Sequence, residues 1–324
     1  MMKVIGIDVG YGYTKVVTDV NGMILPLLSP SIVGVYEDGI VVDGLKTSER
    51  DGVTVNGQRF LIGESARRHA SRLLDGRHEG WIDSIAYRAL LMHALSTAAC
   101  NAVNLTVVTG LPVNFYRTGK DKLINLVREI VEKYCLNLTV KVIPQPLGSF
   151  FNLLFDEAGR VADGDLASGK VGVLDVGFYT TDLITVSELE LVERQIDSFE
   201  NGVSTALTSI AKDIEAAYGL RPDIHKTEEA VKQGYIKAFG VQKDIGQAVE
   251  QRFGELARDI EGKAKTIWKN AADIDKVLLT GGGAKQLKGH LNLYRHAVVI
   301  NDAQFANARG YYKFGRRLSD ANGN

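Results

Sequence analysis

Asp-Val-Gly stands twice in this chain, at Asp8-Val9-Gly10 and Asp175-Val176-Gly177, 167 residues (175 − 8) apart. Each copy ends an apolar run, Val4-Ile5-Gly6-Ile7 in the first and Val171-Gly172-Val173-Leu174 in the second, and opens a turn holding glycine and threonine. A short apolar run bounded by turn residues reads as a buried strand. The recurrence predicts a duplicated α/β unit with two hairpins facing one cleft. A chain of 324 residues suits about two domains and can bury about three quarters of its unfolded surface.

The remaining pattern fits that outline. Strands are expected at 3–8, 13–20 and 23–28, the last two joined by Asn21-Gly22, and a second Asn-Gly at Asn56-Gly57 joins 53–55 to 59–62. Asn-Gly between alternating apolar runs is a strong hairpin signal. Helical spacing covers 82–102, then a buried strand at 104–110 ends in a Gly-Leu-Pro turn. A helix at 120–134, a strand at 136–143 and a helix at 146–155 follow. The glycine- and aspartate-rich stretch 156–170 reads as a surface loop. Beyond it come strands at 171–175, 182–187 and 191–198, helices at 203–218, 226–234 and 244–269, a strand at 276–280 and a final helix at 303–318.

Charge narrows the function classes. With 38 Lys+Arg against 39 Asp+Glu the net charge is -1, which argues against a surface built to hold nucleic acid, so any DNA contact is local or indirect. Cys100 and Cys135 have no C-x-x-C spacing and read as reduced core thiols. The opening MMKVIGIDVGYG is broken by Asp8 and three glycines and lacks a cleavage site, so it is not a signal peptide. No run reaches the roughly 18 apolar residues of a membrane helix. A cytoplasmic protein is expected, in which the Asn104-Leu105-Thr106 and Asn137-Leu138-Thr139 triplets are accidental glycosylation matches. The six histidines show no metal-ligand spacing.

The chemistry sits at the turns. A glycine-rich turn between strands can present successive backbone N–H groups to a phosphate, because glycine reaches positive φ and has no Cβ in the way. Gly10, Gly12, Tyr13 and Thr14 suit that job, and Lys15 can place an ammonium on a phosphate; a tight hairpin without a ligand would carry the same residues. Asp8 and Asp175 each leave a buried strand, where a carboxylate needs a partner. Mg²⁺, which keeps several waters and takes one or two carboxylates plus phosphate oxygens, is a suitable one; the alternative is a hairpin cap. Leu278-Leu279-Thr280-Gly281-Gly282-Gly283-Ala284 is a strand running into three glycines, which lets backbone lie against a base, ribose or phosphate. Neither G-x-x-x-x-G-K-[ST] nor a complete G-x-G-x-x-G is present, which disfavours a P-loop or Rossmann site. Arg67-Arg68-His69, Arg72 and Arg77-His78 form a basic cluster near Trp81 that reads as a solvated helix face or a partner contact. Tyr311-Tyr312 and Phe314 are expected to pack between domains, and 319–324 to be a frayed polar tail.

Three stretches now carry a resemblance. Ile7-Asp8-Val9-Gly10-Tyr11-Gly12-Tyr13-Thr14-Lys15, Leu174-Asp175-Val176-Gly177-Phe178-Tyr179-Thr180-Thr181-Asp182 and Leu279-Thr280-Gly281-Gly282-Gly283-Ala284 resemble the phosphate 1, phosphate 2 and adenosine motifs of the actin, Hsp70 and sugar-kinase superfamily, in the right order across most of the chain. Within it, Phe199-Glu200-Asn201-Gly202-Val203-Ser204-Thr205 and Phe305-Ala306-Asn307-Ala308-Arg309-Gly310 resemble plasmid-segregation actins of the ParM/StbA type and small archaeal actin-like proteins.

The resemblance implies an α/β, actin-like ATPase fold, two RNase H-like domains flanking a nucleotide cleft: 1–147, completed by a C-terminal helix at 301–324, and 148–300. It implies that Gly10, Gly12, Tyr13, Thr14 and Lys15 hold one side of the β- and γ-phosphates of ATP, with GTP an alternative, and Gly177, Thr180 and Thr181 the other. Gly202, Gly281, Gly282 and Gly283 are implied as further nucleotide-binding positions. Asp8 and Asp175 would hold Mg²⁺ through its waters, and Gln145 falls where relatives carry the Gln or Glu that orients the attacking water; a neighbour of a helix N-cap is the plainer reading of Gln145. Phe178-Tyr179 departs from the small residues many relatives have in the second turn. Lys212 and Glu228 lie in the base-recognition region without deciding between ATP and GTP.

The expected function is that of a polymerising actin-like ATPase that forms filaments for plasmid DNA segregation. Its partners would be further copies of itself, head to tail, and a DNA-bound adaptor protein, with no direct nucleic acid and no membrane. Two alternatives stay open: a small-molecule kinase of the same superfamily, for which no separate carboxylate base is evident, and a non-polymerising nucleotide-binding adaptor.

Overall fold

Strand Met2–Val9 is buried along most of its length because side chains leave it alternately to two covered faces. Ile5, Ile7 and Val9 enter a core with Leu90, Leu91 and Leu95 of helix Ile85–Ala98 and with Val127 of helix Val113–Val131. Val4 points the other way, to Val17 and to Ala308 and Tyr312 of helix Ala306–Ala321. A Cβ on Gly6 would meet the Tyr312 nitrogen at 2.6 Å, so this glycine is what lets the final helix lie directly on the strand.

The computed structural model describes residues 2–37, 50–74, 80–99, 102–132, 135–291 and 296–321. Two units emerge, Met1–Gly164 with Phe305–Asn324, and Asp165–Gln304. In the first, the main sheet runs Met23–Pro30, Tyr13–Val20, Met2–Val9, Asn104–Leu111, Asn137–Pro144, the first pairs antiparallel and the last two parallel. A four-stranded sheet of Gly52–Val55, Gln58–Ile62, Val33–Val35 and Arg72–Leu73 accompanies it. In the second, Glu190–Leu191, Thr181–Ser187, Lys170–Val176, Lys276–Thr280 and Ala297–Val299 repeat the same order and the same switch from antiparallel to parallel, with Asp197–Phe199 pairing Thr181–Ser187. Helices Val203–Tyr218 and Gly246–Trp268 cover one face. Trp268 packs over Gly172 and its indole N–H donates to Thr185 Oγ1 at 2.9 Å.

The α/β duplication and both Asn-Gly hairpins are as expected, with Asn21 and Asn56 at φ 53° and 50° and the following glycines at 80°. Several boundaries differ for physical reasons. The helix expected from 120 starts at Val113, because Pro112 serves as its N-cap rather than ending a turn. The helical stretch from 82 splits at Ser84, whose Oγ accepts the Tyr87 N–H and caps helix Ile85–Ala98 behind a short turn at Trp81–Asp83. The strand expected over 191–198 is interrupted by the turn Glu193–Gln195. The loop 156–170 includes a short helix, Gly164–Ser168. Tyr311, Tyr312 and Phe314 pack inside the first unit, Phe314 stacking on Phe151 at 4.8 Å.

Among the described residues no helix is long and apolar enough to cross a membrane. Cys135 is a half-buried thiol bonded to the Val131 carbonyl; Cys100, Arg77-His78 and residues 322–324 lie outside the described residues. Arg67 and Arg68 pair with Glu64 along helix Gly63–His69.

Candidate functional site

Each hairpin turn is four residues long and closes the same way. In the first, Gly10 N–H donates to the Tyr13 carbonyl at 3.1 Å; in the second, Gly177 N–H donates to the Thr180 carbonyl at 2.9 Å. The aromatic pair Phe178-Tyr179 therefore leaves the backbone closure of the second turn unchanged. The aspartates before the turns are buried, Asp8 at 4% exposure and Asp175 at 6%.

Register decides what each aspartate faces. Asp8 lies opposite Lys15, and Lys15 Nζ donates to Asp8 Oδ2 at 3.0 Å. The other carboxylate oxygen, Oδ1, accepts from Gln145 Nε2 at 2.9 Å. The first unit thus brings together Asp8, Lys15 and Gln145, three residues singled out in the sequence. Gln145 opens helix Gln145–Leu154, and its carbonyl accepts from the Tyr311 hydroxyl at 3.3 Å. Gly110 makes room for that phenol, and Gly310 lets the final helix meet Gly148, where a Cβ would strike the Gly148 carbonyl. Asn307 Oδ1 accepts from both the N–H and the hydroxyl of Ser149. The Phe305–Gly310 motif is thereby explained as the seat of the Gln145 helix. On the turn's other flank, Gly12 accepts from Ser31 N–H at 2.9 Å and Thr14 Oγ1 meets Ser31 Oγ at 3.0 Å.

In the second unit Asp175 lies opposite Asp182, whose Oδ2 accepts from Thr180 Oγ1 at 3.1 Å. Thr181, fully buried, donates to the Asn201 carbonyl at 2.6 Å. Val203 and Ser204 N–H groups, at the start of helix Val203–Tyr218, donate to the Gly177 and Phe178 carbonyls at 3.1 and 2.7 Å. Gly202 is what permits this, since a Cβ there would lie 2.7 Å from both carbonyl oxygens. Gly281, at φ 89°, packs against Asp175 and Val176 so closely that a Cβ would overlap the carboxylate. Gly283 N–H donates to the Val176 carbonyl at 2.9 Å, whereas Gly282 is exposed with nothing near its Cα substituent position. Lys212 is exposed on helix Val203–Tyr218, and Glu228 pairs with Lys232 at 2.7 Å.

Among the described residues there is no group of three or more His, Cys, Asp or Glu suited to hold a metal ion. The Asp175 and Asp182 carboxylates with Thr180 make a hard oxygen donor set, which fits Mg²⁺ held through water and phosphate rather than in a protein cage. Ser31 and the stacking of Tyr11 on Trp81 carry no motif that marks them as part of the site, and Asp182 joins it through its register opposite Asp175. Asp182 had a signal: it stands seven residues after its aspartate (182 − 175), as Lys15 does after Asp8 (15 − 8).

Family models match two stretches, the N-terminal domain of actin-like proteins over residues 6–148 and the C-terminal domain of archaeal MreB-like actin homologues over residues 173–293. The chain belongs to the actin-like superfamily. Archaeal actin homologues of Thermoplasma volcanium and Thermoplasma acidophilum are 26% and 25% identical to this actin-like chain, with 96% of it and 98% of each relative covered. Among solved structures, a 15-stranded ParM filament from Clostridium botulinum superposes with a TM-score of 0.77 at 22% identity, covering 98% of this chain and 99% of that one. An archaeal actin homologue in complex with ADP gives a TM-score of 0.73 at 23% identity, covering 99% and 100%.

Proposed function

We propose that this chain is a nucleotide-dependent, filament-forming actin-like ATPase, and that its filaments move plasmid DNA through a DNA-bound adaptor protein. The observation that carries the reading is the twice-made turn: two buried aspartates, each leading into a four-residue glycine turn of identical closure, with Gln145 bonded to the first aspartate. Similar structures include ParM proteins with AMPPNP and with ATP and an archaeal homologue with ADP, and a ParM filament. ATP is the proposed nucleotide, with GTP the alternative; the two units, Met1–Gly164 with Phe305–Asn324 and Asp165–Gln304, are the proposed domains in place of a boundary at 147/148, which would cut helix Gln145–Leu154.

In this reading Gly10, Gly12, Tyr13, Thr14 and Lys15 of the first unit and Gly177, Thr180 and Thr181 of the second bind the phosphates, the backbone N–H groups supplying fixed dipoles. Gly202 and Gly281 to Gly283 keep backbone close to the nucleotide's path. Gln145 gives its amide N–H to Asp8, which leaves its carbonyl oxygen to accept from a water aimed at the γ-phosphorus. The water's oxygen forms the new bond as the bond to the β-phosphate oxygen breaks. Asp8 and Asp175 are the proposed holders of a hydrated Mg²⁺, with Asp182 and Thr180 beside Asp175 adding to the oxygen donor set; the ion's charge, when bound, would offset that on the phosphate oxygens. Head-to-tail contacts between copies do not close on themselves, which is how a single chain makes an open filament.

The test follows 90° light scattering, negative-stain images and phosphate release after adding Mg-ATP or Mg-GTP, with Asp175→Ala alongside. Filaments in the wild type, and phosphate release at least about a hundredfold slower in the variant, are expected. Phosphate release without any rise in scattering, over a range of salt and nucleotide, removes the filament reading and favours a kinase or a nucleotide-binding adaptor.

A further inference from the structure

Tyr11 is the one side chain at the tip of the first turn, flanked by Gly10 and Gly12. Its ring stacks on Trp81 with centroids 5.1 Å apart and planes 20° from parallel. Trp81 in turn meets the edge of Tyr87 at 5.5 Å and 87°. Both supporting rings are buried, Trp81 at 8% exposure and Tyr87 at 1%. The Trp81 turn is itself anchored: its carbonyl accepts from the Ser84 hydroxyl at 2.7 Å, and neighbouring Asp83 pairs with Lys122 of helix Val113–Val131 at 2.9 Å. An aromatic stack therefore runs from the helical layer to the tip of the turn.

The corresponding turn of the second unit is fixed differently, by the Val203 and Ser204 N–H groups on its carbonyls. The first turn is held by the Ser31 N–H on the Gly12 carbonyl and, at Tyr11, by the aromatic stack. Stacked aromatic pairs contribute beyond the area they bury, and a preformed anion nest binds without the cost of ordering.

We infer that Trp81 is a positioning residue for phosphate binding, acting through Tyr11 to hold the Gly10–Tyr13 backbone in its binding conformation. This rests on the phosphate-binding reading of the first turn. The indole N–H of Trp81 is buried without a protein acceptor, so the ring face and not the polar atom is what the turn uses. Phenylalanine should therefore replace it and leucine should not.

The experiment measures Mg-ATP and Mg-ADP binding by isothermal titration for the wild type, Trp81→Phe and Trp81→Leu, and follows tryptophan emission in parallel. The chain has two tryptophans, so Trp81→Phe leaves Trp268 as the emitter. Nucleotide should change the emission of the wild type and not that of Trp81→Phe. Trp81→Phe should bind within about twofold of wild type and Trp81→Leu roughly five- to tenfold more weakly. If Trp81→Leu does not fold, Tyr11→Leu removes the same contact from the turn side and should show the same loss. Equal affinity for the leucine variants and the wild type overturns the role of Trp81 while leaving phosphate binding standing. A wild type that binds neither nucleotide overturns both.

Discussion

The first hairpin turn and the second share a backbone and differ in nearly everything that touches it. Both close glycine N–H to fourth-residue carbonyl, and both follow a buried aspartate. Asp8, however, is held by side chains, Lys15 on one oxygen and Gln145 on the other. Asp175 is walled by backbone at Gly281 and faces a second carboxylate, Asp182, across the ladder. The two units share what the glycines and the strand register fix, and differ in their charges. The first unit carries its own cation beside its aspartate, while the second places two carboxylates together in a way that favours a cation from outside.

The largest expected effect comes from breaking the internal ion pair. Lys15 and Asp8 side chains are 13% and 5% exposed, so Lys15→Met leaves a buried carboxylate with Gln145 alone and should cost about 3 kcal/mol. Urea unfolding of the nucleotide-free protein measures it. A shift under about 0.5 kcal/mol, the range of an ordinary surface substitution, would mean that the pair is not what settles Asp8. Next comes the brace of the second turn. Gly202→Ala must push the Gly177 and Phe178 carbonyls off a Cβ now 2.7 Å away, loosening the Val203 and Ser204 bonds, and about 2 kcal/mol should be lost. Among the described residues the first turn has no equivalent glycine, so the same unfolding assay on Trp81→Leu should show a cost of cavity type instead, with m unchanged.

Much of this was legible in the sequence because it is local. Asn-Gly announced two hairpins; helix Val203–Tyr218 and strand Lys276–Thr280 have the boundaries that periodicity gave. The hairpin Tyr235–Ala238 with Val241–Asp244 escaped notice because Phe239-Gly240 takes the same turn geometry, φ 49° and 82°, without the Asn that usually marks it. The helix at Val113 was hidden by a proline that reads as a breaker and acts as a cap. At the site, residues within each turn were visible as motifs. Ser31, Trp81 and Tyr311 were not, since each reaches its partner through the tertiary fold: Ser31 across from Gly12, Trp81 onto Tyr11, Tyr311 onto Gln145. Asp182 sat inside a recognised motif and took its meaning only from the register that sets it against Asp175.

The smallest effect sharpens the comparison most, because its sign is opposite. Removing a charge opposite Asp8 should destabilise; removing one opposite Asp175 should not. Asp182→Asn keeps an oxygen to accept from Thr180 Oγ1 and takes away a like charge directly across an antiparallel pair, a contact that costs up to about 1 kcal/mol. The nucleotide-free variant should therefore be as stable as the wild type or up to about 1 kcal/mol more so. Added Mg²⁺ with nucleotide should then stabilise it less than it stabilises the wild type, because the donor set has lost a carboxylate. Thermal unfolding with and without Mg-ATP reads both differences in one series. A variant that is less stable without nucleotide and gains as much as wild type with it would show that Asp182 is a structural acceptor for Thr180, and that the two hairpins differ in packing rather than in charge.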